Sequence, residues 1–407
     1  MERVVSKITI ILYLSLAAFP LMKGNINSIC IIFCSIFSIY DFIKAKKKLT
    51  FNRKKITLTF VFWMFLFHEI FTLDLNLTNI LLQLPFLIFP LLFLYKPSYI
   101  DTKVKDQSLL VFQGSVVLQS IIYLIVFLKE NKIQQIFAIN NYNIPFFRTY
   151  VLENTTVAIH QTYFSAFLLC SCTISLFLGL KKTSSFFLIF NLFNIILTSF
   201  FIFVFVSKIN IILLILTFMT YIIISFKNGK KKQLLKSIYV FLMFGALFFL
   251  AFSGLVKERF NEVRTEINRP LVGNYHNSIN IRVAIIKCSF GLLEELPFLG
   301  YGKYLQQELN NCYKNSFKSD FYKISTYNTH NYYFNLILYG GWVFLFLFLY
   351  YLYYLLRKVN YPTFILIFIV QILIINLTEN LFSRHYGIIL FIYFISLFLP
   401  NKNMLRN

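Results

Sequence analysis

Three features between positions 282 and 341 have residue types that could do chemistry together. The first is Arg282, in the first turn of a segment, Asn277–Leu296, that places Ile281, Ile285 and Ile286 on one side of a helix with Asn277 or Ser278 as its N-cap. A cation there opposes the helix macrodipole, which makes a purely stabilising role less natural and a role toward an anion more so. The second is the run Pro297-Phe298-Leu299-Gly300-Tyr301-Gly302. Its GxG is a weak phosphate-loop signal, because no strand precedes it, and a tight turn accounts for the glycines. The third is Thr329-His330-Asn331-Tyr332-Tyr333, at the entrance of an apolar run that contains Gly340-Gly341. A histidine at such an entrance suits general-base work near neutral pH, although a lone histidine is more often structural.

Other ionisable groups fall at the ends of apolar runs. His160 precedes one run, Lys208 lies in the turn between two, Glu379 closes another, and Arg384-His385 open the last. Lys208 reads either as a residue snorkelling to the interface or as a cation facing a ligand. Arg259 and Arg264 belong to Lys257–Ile267, where Glu258, Glu262 and Glu266 repeat at i,i+4. That spacing fits a solvated, salt-bridged helix, with a binding role for the arginines as the sharper alternative. His68 and Glu69 stand together inside an apolar run, where a neighbouring cation could pair with them, as a structural pair or a functional one. Cys288 and Cys312 share one long loop where a disulfide is possible, although Cys288 falls on a buried helix face; the other four cysteines sit in apolar runs as small hydrophobes. No CxxC pair, HExxH or acidic cluster argues for a metal.

The elements that must position these groups are membrane helices. Only 14% of the chain is charged and its mean hydropathy is +0.69, too little polar surface for a water-soluble domain at about 25% charged. A hydrocarbon core takes about 20 apolar residues to cross. About twelve runs come near this, with no period-2 alternation to suggest a barrel: Ile8–Met22, Ile26–Ile43, Ile56–Leu73, Leu77–Tyr95, Ser108–Leu128, Gln161–Gly179, Ser185–Val206, Ile209–Phe226, Ser237–Gly254, Tyr332–Leu356, Tyr361–Thr378 and Ser383–Leu399. The first could pass for a signal peptide, but Lys23-Gly24-Asn25 is a poor cleavage site. The expected fold is an all-α membrane protein treated as one membrane domain. Residues 1–254 carry nine spans, 255–329 form a large periplasmic loop with amphipathic helices, and 330–407 carry three more.

The net charge of +23 would suggest nucleic acid in a soluble protein. With the N-terminus inside, the short cytoplasmic segments hold 23 Lys and Arg and the short outer ones 6. That is positive-inside sorting, with both termini cytoplasmic and the long loop outside, and nucleic-acid binding loses its support. The last run is short, so Arg384 and His385 are drawn into the outer end of its helix.

Arg282, the P-x-x-G-x-G run, and His330-Asn331-x-Tyr333 leading to Gly340-Gly341 resemble the O-antigen ligase family of bacterial ligases and polymerases. Ser207-Lys208 looks like the family's Ser-Arg pair with lysine for arginine, which keeps the charge and loses the bidentate fork. His160-Gln161 looks like its His-Pro start of a middle span. The resemblance implies glycosyl transfer on the periplasmic face of the inner membrane, without metal or cofactor. The donor would be a glycan on undecaprenyl diphosphate, held beside membrane lipid. The acceptor would be a sugar hydroxyl, on lipid A–core for a ligase or on another lipid-linked unit for a repeat-unit polymerase. It assigns Arg282 and Lys208 to the diphosphate, with Arg384, Arg259 and Arg264 as further cations, and His330 as general base. Glu379 is an alternative base or a sugar-orienting group, and His160 and Asn331 join the substrate-binding set. A lipid-linked glycan flippase is the reading from another class; it would concentrate ionisable groups at a midplane cavity.

Overall fold

The computed structural model describes residues 2–46, 53–73, 75–138, 146–181, 184–227, 278–317 and 326–399, together with positions 245 and 264. Among these the regular elements are all helices. In a medium without water each backbone N–H and C=O must be satisfied inside the chain, and helices do this segment by segment. They are α1 (Glu2–Ser15), α2 (Gly24–Lys44), α3 (Arg53–Leu58), α4 (Phe60–Phe71), α5 (Leu77–Gln83), α6 (Pro85–Leu94), α7 (Thr102–Leu128), α8 (Phe146–Asn154), α9 (Gln161–Phe177), α10 (Ser185–Val204), α11 (Lys208–Lys227), α12 (Ser278–Glu294), α13 (Leu305–Ser316), α14 (Tyr332–Lys358), α15 (Thr363–Ile375) and α16 (His385–Leu397).

By length and composition, 7 stretches among the described residues can cross a membrane, one of them, Tyr332–Arg357, counted across a break at Gly341. Four shorter apolar helices, α4, α9, α15 and α16, fall on the third, sixth, eleventh and twelfth expected runs. The ninth expected run, Ser237–Gly254, and the helix expected over Lys257–Ile267 lie outside the described residues, Gly245 and Arg264 apart. The chain divides into two compact units: Met1–Lys48, Tyr95–Gly254 and Pro362–Gln371 in one, and Leu49–Leu94, Leu255–Tyr361 and Ile372–Asn407 in the other.

The first unit is built around α9, in which every residue is buried. A helix apolar on all sides belongs inside a bundle, and α9 adds small polar groups that bind its neighbours. Asn194 Nδ2 of α10 donates to Ser171 Oγ at 2.9 Å and to Ser175 Oγ at 2.7 Å. Gln113 Nε2 of α7 reaches Ser175 Oγ at 2.6 Å. Gln371 Nε2 donates to Thr217 Oγ1 at 2.7 Å and Thr173 Oγ1 at 3.0 Å. Such bonds join helices where burial of apolar surface supplies no net pull between them, each worth roughly 1 kcal/mol.

The second unit has α16 at its centre, buried from Gly387 to Leu397 and packed by aromatic rings of α6. Phe89 meets Tyr393 edge-on at 6.0 Å between centroids. The expected straight span over Tyr332–Leu356 is broken. Gly341 has φ 73° and ψ 179°, a conformation that only glycine adopts without large cost. The Tyr332 ring lies 5.5 Å from that of Phe348, whereas a continuous helix would hold positions 332 and 348 roughly 24 Å apart. The arm before Gly341 therefore folds back along the arm after it. Only the second arm, from Trp342 to Lys358, has the reach of a span, and Tyr332 comes to lie beside Phe348.

Candidate active site

The turn Pro297–Gly302 sets the frame. Gly300 N–H donates to Pro297 C=O at 2.8 Å, and both Gly300 (φ 71°) and Gly302 (φ 53°) take left-handed backbone, as the tight-turn reading required. This turn packs on the α14 break. A Cβ on Gly341 would lie 2.2 Å from the Phe298 carbonyl oxygen, and one on Gly300 would lie 2.5 Å from the backbone of Tyr339. Tyr301 N–H donates to Leu338 C=O at 2.7 Å. Its hydroxyl reaches the carbonyls of Leu292 at 2.9 Å and Glu295 at 3.2 Å, closing the end of α12. Burial first, then the charges of Glu295 and Glu308, push the Tyr301 phenol up, so it stays a donor.

His68 and Glu69 of α4 complete this frame, and no cation pairs with them among the described residues. His68 Nε2 donates to Leu299 C=O at 2.8 Å. The buried Glu69 carboxylate accepts from the Tyr339 hydroxyl, from Asn76 N–H at 2.8 Å and from Asn79 Nδ2 at 3.3 Å. Hydrogen bonds thus compensate its desolvation where a counter-charge could have done so.

Segment 328–333 is bound to the chain following α15. Thr329 Oγ1 accepts from Asn380 Nδ2 at 2.9 Å, and Tyr332 N–H donates to Asn376 C=O at 2.9 Å. Asn331 caps α14 through Tyr333 and Phe334 N–H, at 2.9 and 3.1 Å, while its Nδ2 donates to Leu377 C=O at 3.0 Å. Both ends of the Asn331 side chain are therefore used by the protein. Between these anchors His330 sits at φ 43°, a left-handed conformation that costs a non-glycine residue about 1–3 kcal/mol and persists only where its surroundings enforce it. Asn328 Oδ1 accepts its N–H at 2.9 Å.

The ring so placed points its Nδ1 at Glu379 Oε2, 3.2 Å away. The other oxygen, Oε1, lies 3.7 Å from the Arg282 guanidinium. Glu379 is 12% exposed, His330 33% and Arg282 54%. A nearly buried carboxylate thus bridges a partly exposed imidazole and an exposed cation. Carboxylate on Nδ1–H leaves Nε2 as the unprotonated ring atom, the arrangement of a base with an orienting acid.

Arg282 reaches this place because α12 is held on three sides. A disulfide joins Cys288 to Cys312 of α13, the Phe290 ring meets Phe334 of α14 at 5.2 Å, and Tyr301 closes its C-terminal end. Arg282 falls in the second turn of α12. The buried face comprises Ile281, Ala284, Ile285 and Cys288, while Ile286, expected beside them, is 46% exposed.

None of the other expected residues has a contact with Arg282, Glu379 or His330 among the described residues. Arg384 is exposed and caps α16, its C=O accepting from Gly387 and Ile388 N–H at 3.1 Å. Arg264 is exposed, and Arg259 lies outside the described residues. His160 and Lys208 belong to the other unit, both exposed. His160 Nε2 is 3.0 Å from Gln161 Nε2, and Lys208 opens α11. Among the described residues no group of three or more His, Cys, Asp or Glu could hold a metal ion.

Residues 193–349 match the family model described as O-antigen ligase. This segment belongs to the O-antigen ligase family. No curated protein matches the chain. With its apolar helices, the O-antigen ligase segment marks a bacterial membrane protein of the ligase and polymerase type. The matched segment contains Lys208, Arg282, the P-x-x-G-x-G turn, His330 and the Gly340-Gly341 break. Glu379 lies beyond it. Sequence reasoning placed Glu379 as an alternative base or sugar contact and did not foresee its bridge to Arg282 and His330. For His68 and Glu69 the signal was their presence in an apolar run.

Proposed function

We propose that the chain transfers a glycan from a polyprenyl diphosphate to a sugar hydroxyl, on the periplasmic face of the bacterial inner membrane. The bridge Arg282–Glu379–His330 is the observation that carries this reading. His330 Nε2 takes the proton of the acceptor hydroxyl as its oxygen attacks the anomeric carbon. The glycosyl–phosphate C–O bond breaks and the diphosphate leaves with the electron pair. Glu379 holds the ring by its Nδ1–H and stabilises the imidazolium, work typically worth about 10²–10⁴-fold. Arg282, tethered by one contact to Glu379, offers its remaining N–H groups to the charge growing on the diphosphate.

The cysteine bond between α12 and α13 supports an oxidising compartment for this loop, in line with the charge count that puts both termini in the cytoplasm. The test is transfer in proteoliposomes from a defined lipid-diphosphate donor to lipid A–core or to a second lipid-linked unit. Wild-type protein should form one of these products and His330→Ala neither. Full turnover in His330→Ala would remove the proposed base.

A further inference from the structure

The first unit carries a cavity of about 560 Å³ where the start of α1, the end of α2 and the segment before α7 meet. Its polar lining is Ser6, Asp41, Lys44, Ser98 and Tyr99, and Tyr95 forms part of an aromatic wall, its ring edge-on to Phe42 at 5.3 Å. The Asp41 carboxylate is held in place. Its Oδ2 accepts from the Tyr99 hydroxyl and from Thr9 Oγ1 at 3.4 Å. Oδ1 makes no hydrogen bond among the described residues. Lys44 stands one helical turn further along α2 and lines the same space.

A cavity with a fixed carboxylate and an ammonium about one turn apart selects a ligand carrying both signs at a similar spacing. An anion alone would meet Asp41, and a cation alone would meet Lys44. We infer that this cavity binds the phosphoethanolamine head group of a membrane phospholipid, its ammonium on Asp41 and its phosphate on Lys44. The location agrees: the cavity lies at the ends of two apolar helices, the depth at which head groups sit, with tyrosines as at a membrane interface. A primary ammonium can donate to Oδ1, whereas a trimethylammonium cannot. The site therefore distinguishes phosphatidylethanolamine from phosphatidylcholine, and through Asp41 from phosphatidylglycerol.

The test is native mass spectrometry of the full-length protein, delipidated in detergent and titrated with these three phospholipids and with soluble phosphoethanolamine. Phosphatidylethanolamine should be retained about tenfold more tightly than the other two lipids, the scale of one charge-assisted hydrogen bond. Asp41→Asn should remove its advantage over phosphatidylcholine, and Lys44→Gln should weaken all three lipids. Ala45→Trp, which fills the cavity without altering its charges, should lower occupancy. Equal retention of the three lipids by wild type, unchanged preference in Asp41→Asn, or unchanged occupancy in Ala45→Trp would overturn the proposal. Binding of soluble phosphoethanolamine as tight as that of the lipid would overturn the assignment to a phospholipid.

Discussion

His330 Nδ1 lies 3.2 Å from Oε2 of Glu379, a residue 49 positions later in the chain. The contact exists because the residues on either side of His330 are bound, by Asn380 and by the carbonyls of Asn376 and Leu377, to the segment 376–380 that carries Glu379. The carboxylate is the hinge of the proposed chemistry.

Glu379→Gln should lower kcat on the order of 10²–10⁴-fold with little change in the donor KM. An amide neither stabilises an imidazolium nor enforces one tautomer. Initial rates at saturating donor and acceptor measure it, and a variant retaining wild-type kcat would show the bridge to be structural only.

Arg282 contributes charge and a planar fork. Arg282→Ala should cost about 10²–10³-fold in kcat/KM for the donor, the scale of one removed oxyanion donor. Arg282→Lys should recover part of this, because the charge remains and the bidentate geometry does not. The comparison needs donor titrations of both variants, and equal activities for Ala and Lys would exclude a charge role.

Gly341 has no tolerable substitute. Alanine there would meet the Phe298 carbonyl oxygen at 2.2 Å in a backbone conformation that costs a side-chain-bearing residue about 1–3 kcal/mol. Gly341→Ala should lower the melting temperature in detergent and the yield of folded protein. Gly114→Ala is the control. Its Cβ meets nothing within 4 Å and it lies within α7, so it should be neutral or stabilising by up to about 1 kcal/mol.

Reducing the bond between Cys288 and Cys312, separated by 24 positions, should remove about 3 kcal/mol of stabilisation by freeing the unfolded chain. Since this bond also holds α12, turnover should fall with it. Thermal melts and initial rates of oxidised protein, reduced protein and Cys312→Ser measure both effects. A reduced protein as stable as the oxidised one would contradict the first.

The helical membrane architecture was legible in the sequence because hydropathy and charge act locally. A run of apolar residues needs no partner to prefer a bilayer, and lysines sort between its faces by number. The family motif was legible for a similar reason: Gly300, Gly302 and His330 each answer a local backbone or chemical demand. The pairings between distant residues were not. That Leu299 rests on His68, that Glu69 is satisfied by Tyr339 without a cation, and that Ile286 is exposed all depend on which helices become neighbours.

Sequence alone determined that this chain is made of apolar helices, with Arg282 in its largest polar segment and His330 at the entrance of the run that follows it. It also placed Glu379 among the candidates, though without a partner. Only the tertiary structure decided that α14 turns back at Gly341, that Cys288 meets Cys312, and that Glu379 lies between Arg282 and His330. The physical reason is that one φ above zero reverses a helix, and a reversal changes every contact beyond it. Local composition records that glycine is present, but packing determines whether its freedom is used.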